Sequence, residues 1–235
     1  MKYACGMSPE TVRVVRRLCA VALLVVVAGP AAAQTPDPPT LPSVIPVAVA
    51  PLPWLVVDVR GGLPSLGQDL ITAGDLGVAA ADLPSRAKAL VVGAHAYPIR
   101  RESFKVGFGA EVLLGSASSQ KKDAQGEPAG PVVHRRVDSL SAQVSLNFGR
   151  GAGWSYLTVG SGPFKFESSL DEAVPDGQGS STINFGGGAR WFNWAHIAFT
   201  MDLRFYLTKP GNPTLVTAGR ERKKVVLLSA GISIK

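Results

Sequence analysis

The chain has 235 residues, 46% hydrophobic and only 17% charged, with 26 Gly, 18 Pro, 2 Cys and a formal net charge of +7. That apolar share excludes a disordered chain, and two cysteines are too few for a disulfide scaffold or a cysteine-built zinc site. Outside the N-terminus there is no stretch of about 20 apolar residues, which excludes a bundle of membrane-crossing helices.

Residues 1–33 read as a secretory signal peptide. Lys2, Arg13, Arg16 and Arg17 supply a basic start, 18–28 is an apolar run, and Ala31, Ala32 and Ala33 place small residues before Gln34. Gly29 and Pro30 break the run, which disfavours a retained anchor. Cleavage would remove Cys5 and Cys19, leaving an exported chain without thiol chemistry. Residues 34–53 follow as an extended periplasmic linker, punctuated by Pro36, Pro38, Pro39, Pro42, Pro46, Pro51 and Pro53.

From Trp54 onward the hydrophobic period is two. Phe104, Val106, Phe108, Ala110, Val112 and Leu114 share one parity, and Ile197, Phe199, Met201, Leu203, Phe205 and Leu207 repeat the pattern. Eight strands are predicted, at 54–62, 87–97, 103–114, 138–148, 154–163, 182–192, 195–207 and 224–234. The connections 63–86, 115–137, 164–181 and 208–223 are long, whereas 98–102, 149–153 and 193–194 are short. Regular alternation of long and short connections marks an up-and-down barrel with displayed external loops and tight periplasmic turns. The predicted fold class is therefore all-β: an eight-stranded antiparallel up-and-down transmembrane β-barrel over 54–235. Trp54, Tyr97, Phe104, Phe148, Trp154, Trp191, Phe192 and Trp194 gather at the short-turn end, as a periplasmic aromatic girdle would.

The face opposite the apolar parity holds mostly Gly, Ser, Thr, Asn and Gln, a composition poor for a solvated exterior but suited to a narrow hydrogen-bonded bore. The apolar parity is accordingly assigned to lipid. Asp58, Arg60, Lys105, Glu111, Arg190, Asp202 and Arg204 fall on the inward parity. Charges withdrawn from water must pair, so these seven are predicted to form an interior ion-pair network that plugs the barrel. Gly107, Gly109, Gly186 and Gly188 would leave room for the arginine side chains.

Signal peptide, thiol-free exported chain, eight strands, girdle and charged lumen together resemble the small outer-membrane barrels, the OmpA-like transmembrane domain and its OmpX-type relatives. The resemblance covers 54–235 and rests on architecture. It implies residence in the outer membrane, insertion by the outer-membrane assembly machinery with periplasmic chaperones, and a role in envelope integrity, adhesion or resistance. Barrels of this kind usually finish on an aromatic residue, whereas this chain finishes Ser233, Ile234, Lys235.

Basic residues collect at the predicted external edge: Arg86, Lys88, Lys121, Lys122, Arg135, Arg136, Arg220, Arg222, Lys223 and Lys224. At headgroup depth they suit lipopolysaccharide phosphates. His134 falls in a long connection, His196 near the periplasmic edge, and His95 in a strand whose facing the pattern leaves undecided. No Ser/His/acid set, metal-ligand cluster or phosphate-cradling glycine motif emerges, so no catalytic, cofactor-binding or metal residue is assigned and no cofactor is expected. Nucleic acid is not an expected partner. The expectation is a non-enzymatic envelope barrel with a structural or surface-interaction role. Three alternatives stand beside it: a narrow transporter for small apolar molecules, a lipid A-modifying barrel enzyme, and a soluble secreted lipocalin-like binder.

Overall fold

The computed structural model describes residues 53–149, 153–171, 173, 176–192, 194, 196–210 and 222–235. The signal-peptide and linker expectations for 1–33 and 34–53 lie outside them, Pro53 excepted.

Eight antiparallel strands close into one barrel, each bonded to its sequence neighbour and β1 to β8. They are β1 (Leu55–Pro64), β2 (Lys88–Arg100), β3 (Phe104–Lys122), β4 (Pro128–Phe148), β5 (Gly153–Leu170), β6 (Asp176–Trp191), β7 (Ile197–Thr208) and β8 (Lys224–Ile234). Closure leaves no unpaired ladder edge at membrane depth, where an unbonded amide is costly. The segment between β1 and β2 carries a short helix, α1 (Leu70–Leu76), and a 3-10 turn at Ala80–Asp82. Asp69 caps α1 by accepting the Thr72 amide at 2.7 Å, and Gly77 ends it in the left-handed region at φ 66°.

Alternate residues do point opposite ways. Leu90, Phe108, Leu140, Leu157, Ile183 and Leu228 are exposed on the outside, while their chain neighbours are turned inward. On β4 the outward apolar residues run from Leu140 to Phe148, a length that fits the roughly 9–11 residues a tilted strand needs to cross a bilayer. Phe185 stacks on Phe205 and Trp191 on Phe199 across this outer surface. An exterior this continuous in aliphatic and aromatic groups is solvated by hydrocarbon, not water.

Two predicted loops are mostly strand. Of 115–137, only Asp123–Glu127 separates β3 from β4, and β5 and β6 take up most of 164–181. Beyond the apolar belt the outward face of these hairpins is polar, as in Ser116, Ser118, His134 and Arg136, so the ladder continues without the outward apolar residues that mark the membrane-facing strands. β2 begins at Lys88 opposite Ser116 and β7 ends at Thr208 opposite Thr182. The outer halves of β3, β4, β5 and β6 therefore stand above the barrel as a projecting sheet.

Candidate functional site

The bore is filled in layers. At the short-turn end Val56, Tyr97, Trp154, Phe192 and Ala198 form an apolar floor. Tyr97 meets Trp154 edge-on at 6.0 Å between ring centroids, and Trp154 meets Phe192 at 5.0 Å. Two ammonium groups sit on the rings, Lys105 over Trp154 at 4.2 Å and Lys235 over Phe192 at 4.3 Å. Three members of the expected girdle thus turn inward: Tyr97, Trp154 and Phe192 are nearly fully buried and pack the floor. The reason is parity, because Trp154 shares its strand face with Tyr156 and Thr158 inside the barrel. Trp54, Phe104, Phe148, Trp191 and Trp194 are the five exposed at this end.

Above the floor lie the charges. Arg190 grips Asp58 with two bonds, Nε to Oδ1 at 3.1 Å and Nη2 to Oδ2 at 2.7 Å, while Ser233 donates to the same carboxylate. The Arg190 guanidinium also lies 4.2 Å from the Tyr156 ring centroid and donates to Asn147 at 3.2 Å. One layer higher, Glu111 accepts from Arg60 through Oε2 and from Arg204 through Oε1 at 2.6 Å, with the Tyr206 hydroxyl at 3.1 Å. Asp202 completes the ring, 3.1 Å from Arg60 and 3.0 Å from Arg204, and accepts the Tyr156 hydroxyl at 2.9 Å. Three guanidiniums therefore face three carboxylates. Each of the six is no more than 2% exposed, so exact charge balance matters more than it would in water.

Lys105, the seventh residue assigned to this network, lies apart from it. Its ammonium reaches the Gly149 carbonyl at 3.4 Å besides the Trp154 ring. His95, whose facing the sequence leaves undecided, is inside and pairs with Gln143 at 3.1 Å. The inward glycines make room for rings and for the neighbouring backbone, not for the arginine side chains. A Cβ on Gly107 would lie 2.6 Å from the Tyr97 ring, whereas one on Gly188 would meet the Met201 carbonyl at 2.0 Å and the Tyr156 hydroxyl at 2.7 Å, and one on Gly186 would meet the Leu203 carbonyl at 2.3 Å.

A second apolar layer closes the upper bore, built from Leu66, Val91, Leu113, Val137, Phe164, Tyr206 and Leu227 with their neighbours. Over it folds the β1–β2 connection, which acts as a lid. Ala73 and Leu83 pack on Val133 of the projecting sheet, and Ser119 donates to the Asp82 carbonyl. Arg135 is the pin of this lid, not a rim residue as its place in a basic run suggests. It is 1% exposed, because odd positions of β4 face inward, and it donates to the carbonyls of Gly67 at 2.5 Å, Pro84 at 3.1 Å and Leu66 at 3.4 Å. Asp69 lies 3.6 Å from Arg135 and 3.5 Å from Lys223. Partial burial raises the Asp69 carboxyl, but the Thr72 bonds and the two cations together hold it below the ordinary value of 3.8.

Arg86, Lys88, Lys121, Lys122, Arg136, Arg222 and Lys224 are exposed, and Lys223 is half-buried over the Phe166 ring at 4.1 Å. Arg220 lies outside the described residues. His134 and His196 are exposed at opposite ends of the barrel. The lid contacts escape sequence reasoning because they join residues far apart in the chain through backbone carbonyls, which leave no pattern. The Tyr156 and Tyr206 partners had a signal, since both lie on the inward parity beside the charged residues.

These features define a closed barrel of the transmembrane type, apolar outside, crossed by a paired ring of six charges within, lidded at one end and floored at the other. No family model matches the chain, and no curated protein matches it. Among solved structures, it is similar to Neisserial surface protein A, at 12% identity and a TM-score of 0.49, over 78% of this chain and 97% of that one. It is also similar to Ail, the attachment invasion locus protein of Yersinia pestis in complex with a heparin analogue, at 10% identity and a TM-score of 0.46, over 77% and 96% of the two chains. A third likeness, at 10% identity and a TM-score of 0.40, is to the N-terminal β-barrel domain of Pseudomonas aeruginosa OprF, covering 77% of this chain and 96% of that domain.

Proposed function

We propose that this chain is a non-enzymatic outer-membrane protein that works through its outer surfaces, holding itself in the envelope by its apolar belt and presenting the lid and projecting sheet outside. The observation that supports this reading is the filled bore. Floor, ion-pair ring, apolar layer and lid succeed one another along the axis, leaving the surfaces as the places where other molecules meet the chain. The basic start and apolar run of 1–33 support export, and the basic external rim supports contact with lipopolysaccharide. Assembly machinery and periplasmic chaperones are the partners such a barrel needs during insertion.

Fractionation of cells expressing the full chain, combined with heat-modifiable gel mobility, tests the reading. The folded barrel should sediment with outer membranes and migrate faster unheated than boiled. Recovery as a detergent-free soluble monomer with native β spectra would overturn it. Lipid A mass spectra from a deletion strain test the non-enzymatic part, and an altered acyl pattern restored by the intact gene would refute it.

A further inference from the structure

The external rim carries ten basic residues by sequence, but the structure treats them unequally. Arg135 is spent inside on the lid, and Lys223 lies beside Asp69. Arg136 is paired with Asp138 at 2.8 Å, and on the next strand Lys165 is paired with Glu167 at 2.5 Å. Arg86 and Lys88 differ. Among the described residues neither forms an ion pair, and both border a hollow of about 410 Å³ whose other walls are Ser116, Ala117, Ser118 and His134.

Register explains why these groups converge. Lys88 stands opposite Ser116, and Ser116 opposite Arg136; two residues further out, Ser118 stands opposite His134. Directly opposed side chains on neighbouring strands have Cβ atoms about 5 Å apart, and diagonal ones about 7 Å, so one small anion can reach several of these groups. The two serines between the cations keep the wall low and supply hydroxyl donors. Every charged or ionisable side chain lining the hollow is a basic type, and no carboxylate lines it. Its depth is equally specific. One step inward along the same strands, Leu90 stands opposite Leu114, both exposed on the lipid-facing parity. A headgroup seated in the hollow therefore has its acyl chains laid along the apolar belt.

We propose that Arg86, Lys88, Ser116, Ser118 and His134 form a binding site for the phosphate of a membrane-lipid headgroup. The site rests on the membrane reading above and narrows it. An ammonium and a guanidinium approach the phosphate from β2 and its leading segment, the serine hydroxyls donate from below, and the imidazole closes the far side.

The test uses the full chain refolded in detergent and native mass spectrometry with three probes: bis-phosphorylated lipid A, the same lipid after enzymatic removal of its phosphates, and inorganic phosphate. The phosphorylated lipid should be retained and the dephosphorylated one lost. Arg86→Ala with Lys88→Ala should weaken retention by about tenfold or more, the loss of two charge-assisted contacts. Lys121→Ala with Lys122→Ala removes the same charge at the hairpin tip and should change it less than about twofold, since exposed remote charges are screened. Ser118→Glu, which puts a carboxylate in the hollow without removing a cation, should abolish retention and serves if the double variant does not fold. Equal binding of the two lipids, or equal losses in the two double variants, would overturn the site. So would inorganic phosphate binding as tightly as the lipid, which would make it a free-anion site. A barrel recovered in membranes without headgroup discrimination refutes this site alone, whereas a water-soluble barrel refutes the membrane reading beneath it.

Discussion

Glu111 holds two guanidiniums at once, Arg60 and Arg204, and each of these also reaches Asp202. This shared arrangement couples the four residues. Arg204→Leu leaves both carboxylates on one guanidinium, Arg60, and Glu111→Leu leaves both guanidiniums on one carboxylate, Asp202, so each variant adds like-charge repulsion to the lost pair. Removing one partner of a buried ion pair typically costs roughly 3–5 kcal/mol, so urea unfolding from micelles should show a loss of that order for either variant. Arg204→Leu combined with Glu111→Leu, which leaves Arg60 paired with Asp202, should cost less than the sum of the two. Additive losses would mean that the ring does not share its charge. At the floor, Trp154→Ala removes the ring that joins Tyr97 to Phe192 and seats the Lys105 ammonium. A large-to-small change of that kind costs roughly 3–5 kcal/mol, read by the same titration.

At the scale of elements, the lid hangs on Arg135 and Asp69. The folded Asp69 carboxyl lies below its ordinary value of 3.8, so its contribution is fully present above that value and is lost as the pH falls through the lower folded one. Hydrogen exchange should therefore show the amides of Thr72 and Ala73 protected at neutral pH and released at strongly acid pH while the strand amides stay protected. In Asp69→Asn that acid-dependent difference should vanish. Little of this element was legible beforehand. The pattern predicts β8 over 224–234, the bounds it has, because Val226, Leu228, Ala230, Ile232 and Ile234 face outward and advertise the period. In the sequence the outer half of β4 reads as a loop because its outward residues there, His134 and Arg136, are as polar as any turn. Arg135 lost its proper role for the same cause: between two exposed basic residues only the strand's parity distinguishes it, and parity is invisible where no strand is recognised. The pairing of Arg190 with Asp58 could be narrowed to the inward set but not assigned, since partners on strands far apart in sequence meet only once the barrel closes.

For the whole molecule, the single choice that orders everything else is which parity meets hydrocarbon. It was legible because glycine, serine and asparagine fill the other face, and residues such as Leu157 and Ile183 do lie exposed outside. The apolar layers at either end of the bore were not legible in the same way. Tyr97, Trp154, Leu113 and Phe164 sit on the mostly polar parity and look like exceptions until the strands curl them into shared floors and ceilings. Those layers act in series along one axis, and ions crossing the barrel would have to pass all of them. Each apolar layer excludes hydrated ions by itself, and the charge ring between them binds its own counter-charges too tightly to conduct. It follows that opening one layer does not make a channel. In planar bilayers the wild-type barrel, Trp154→Ala and Arg135→Ala should all be silent, the first variant opening only the floor and the second only the lid. Sustained ohmic current from either single variant would show that one layer carries the whole barrier, and the description of the bore as a stacked plug would fail.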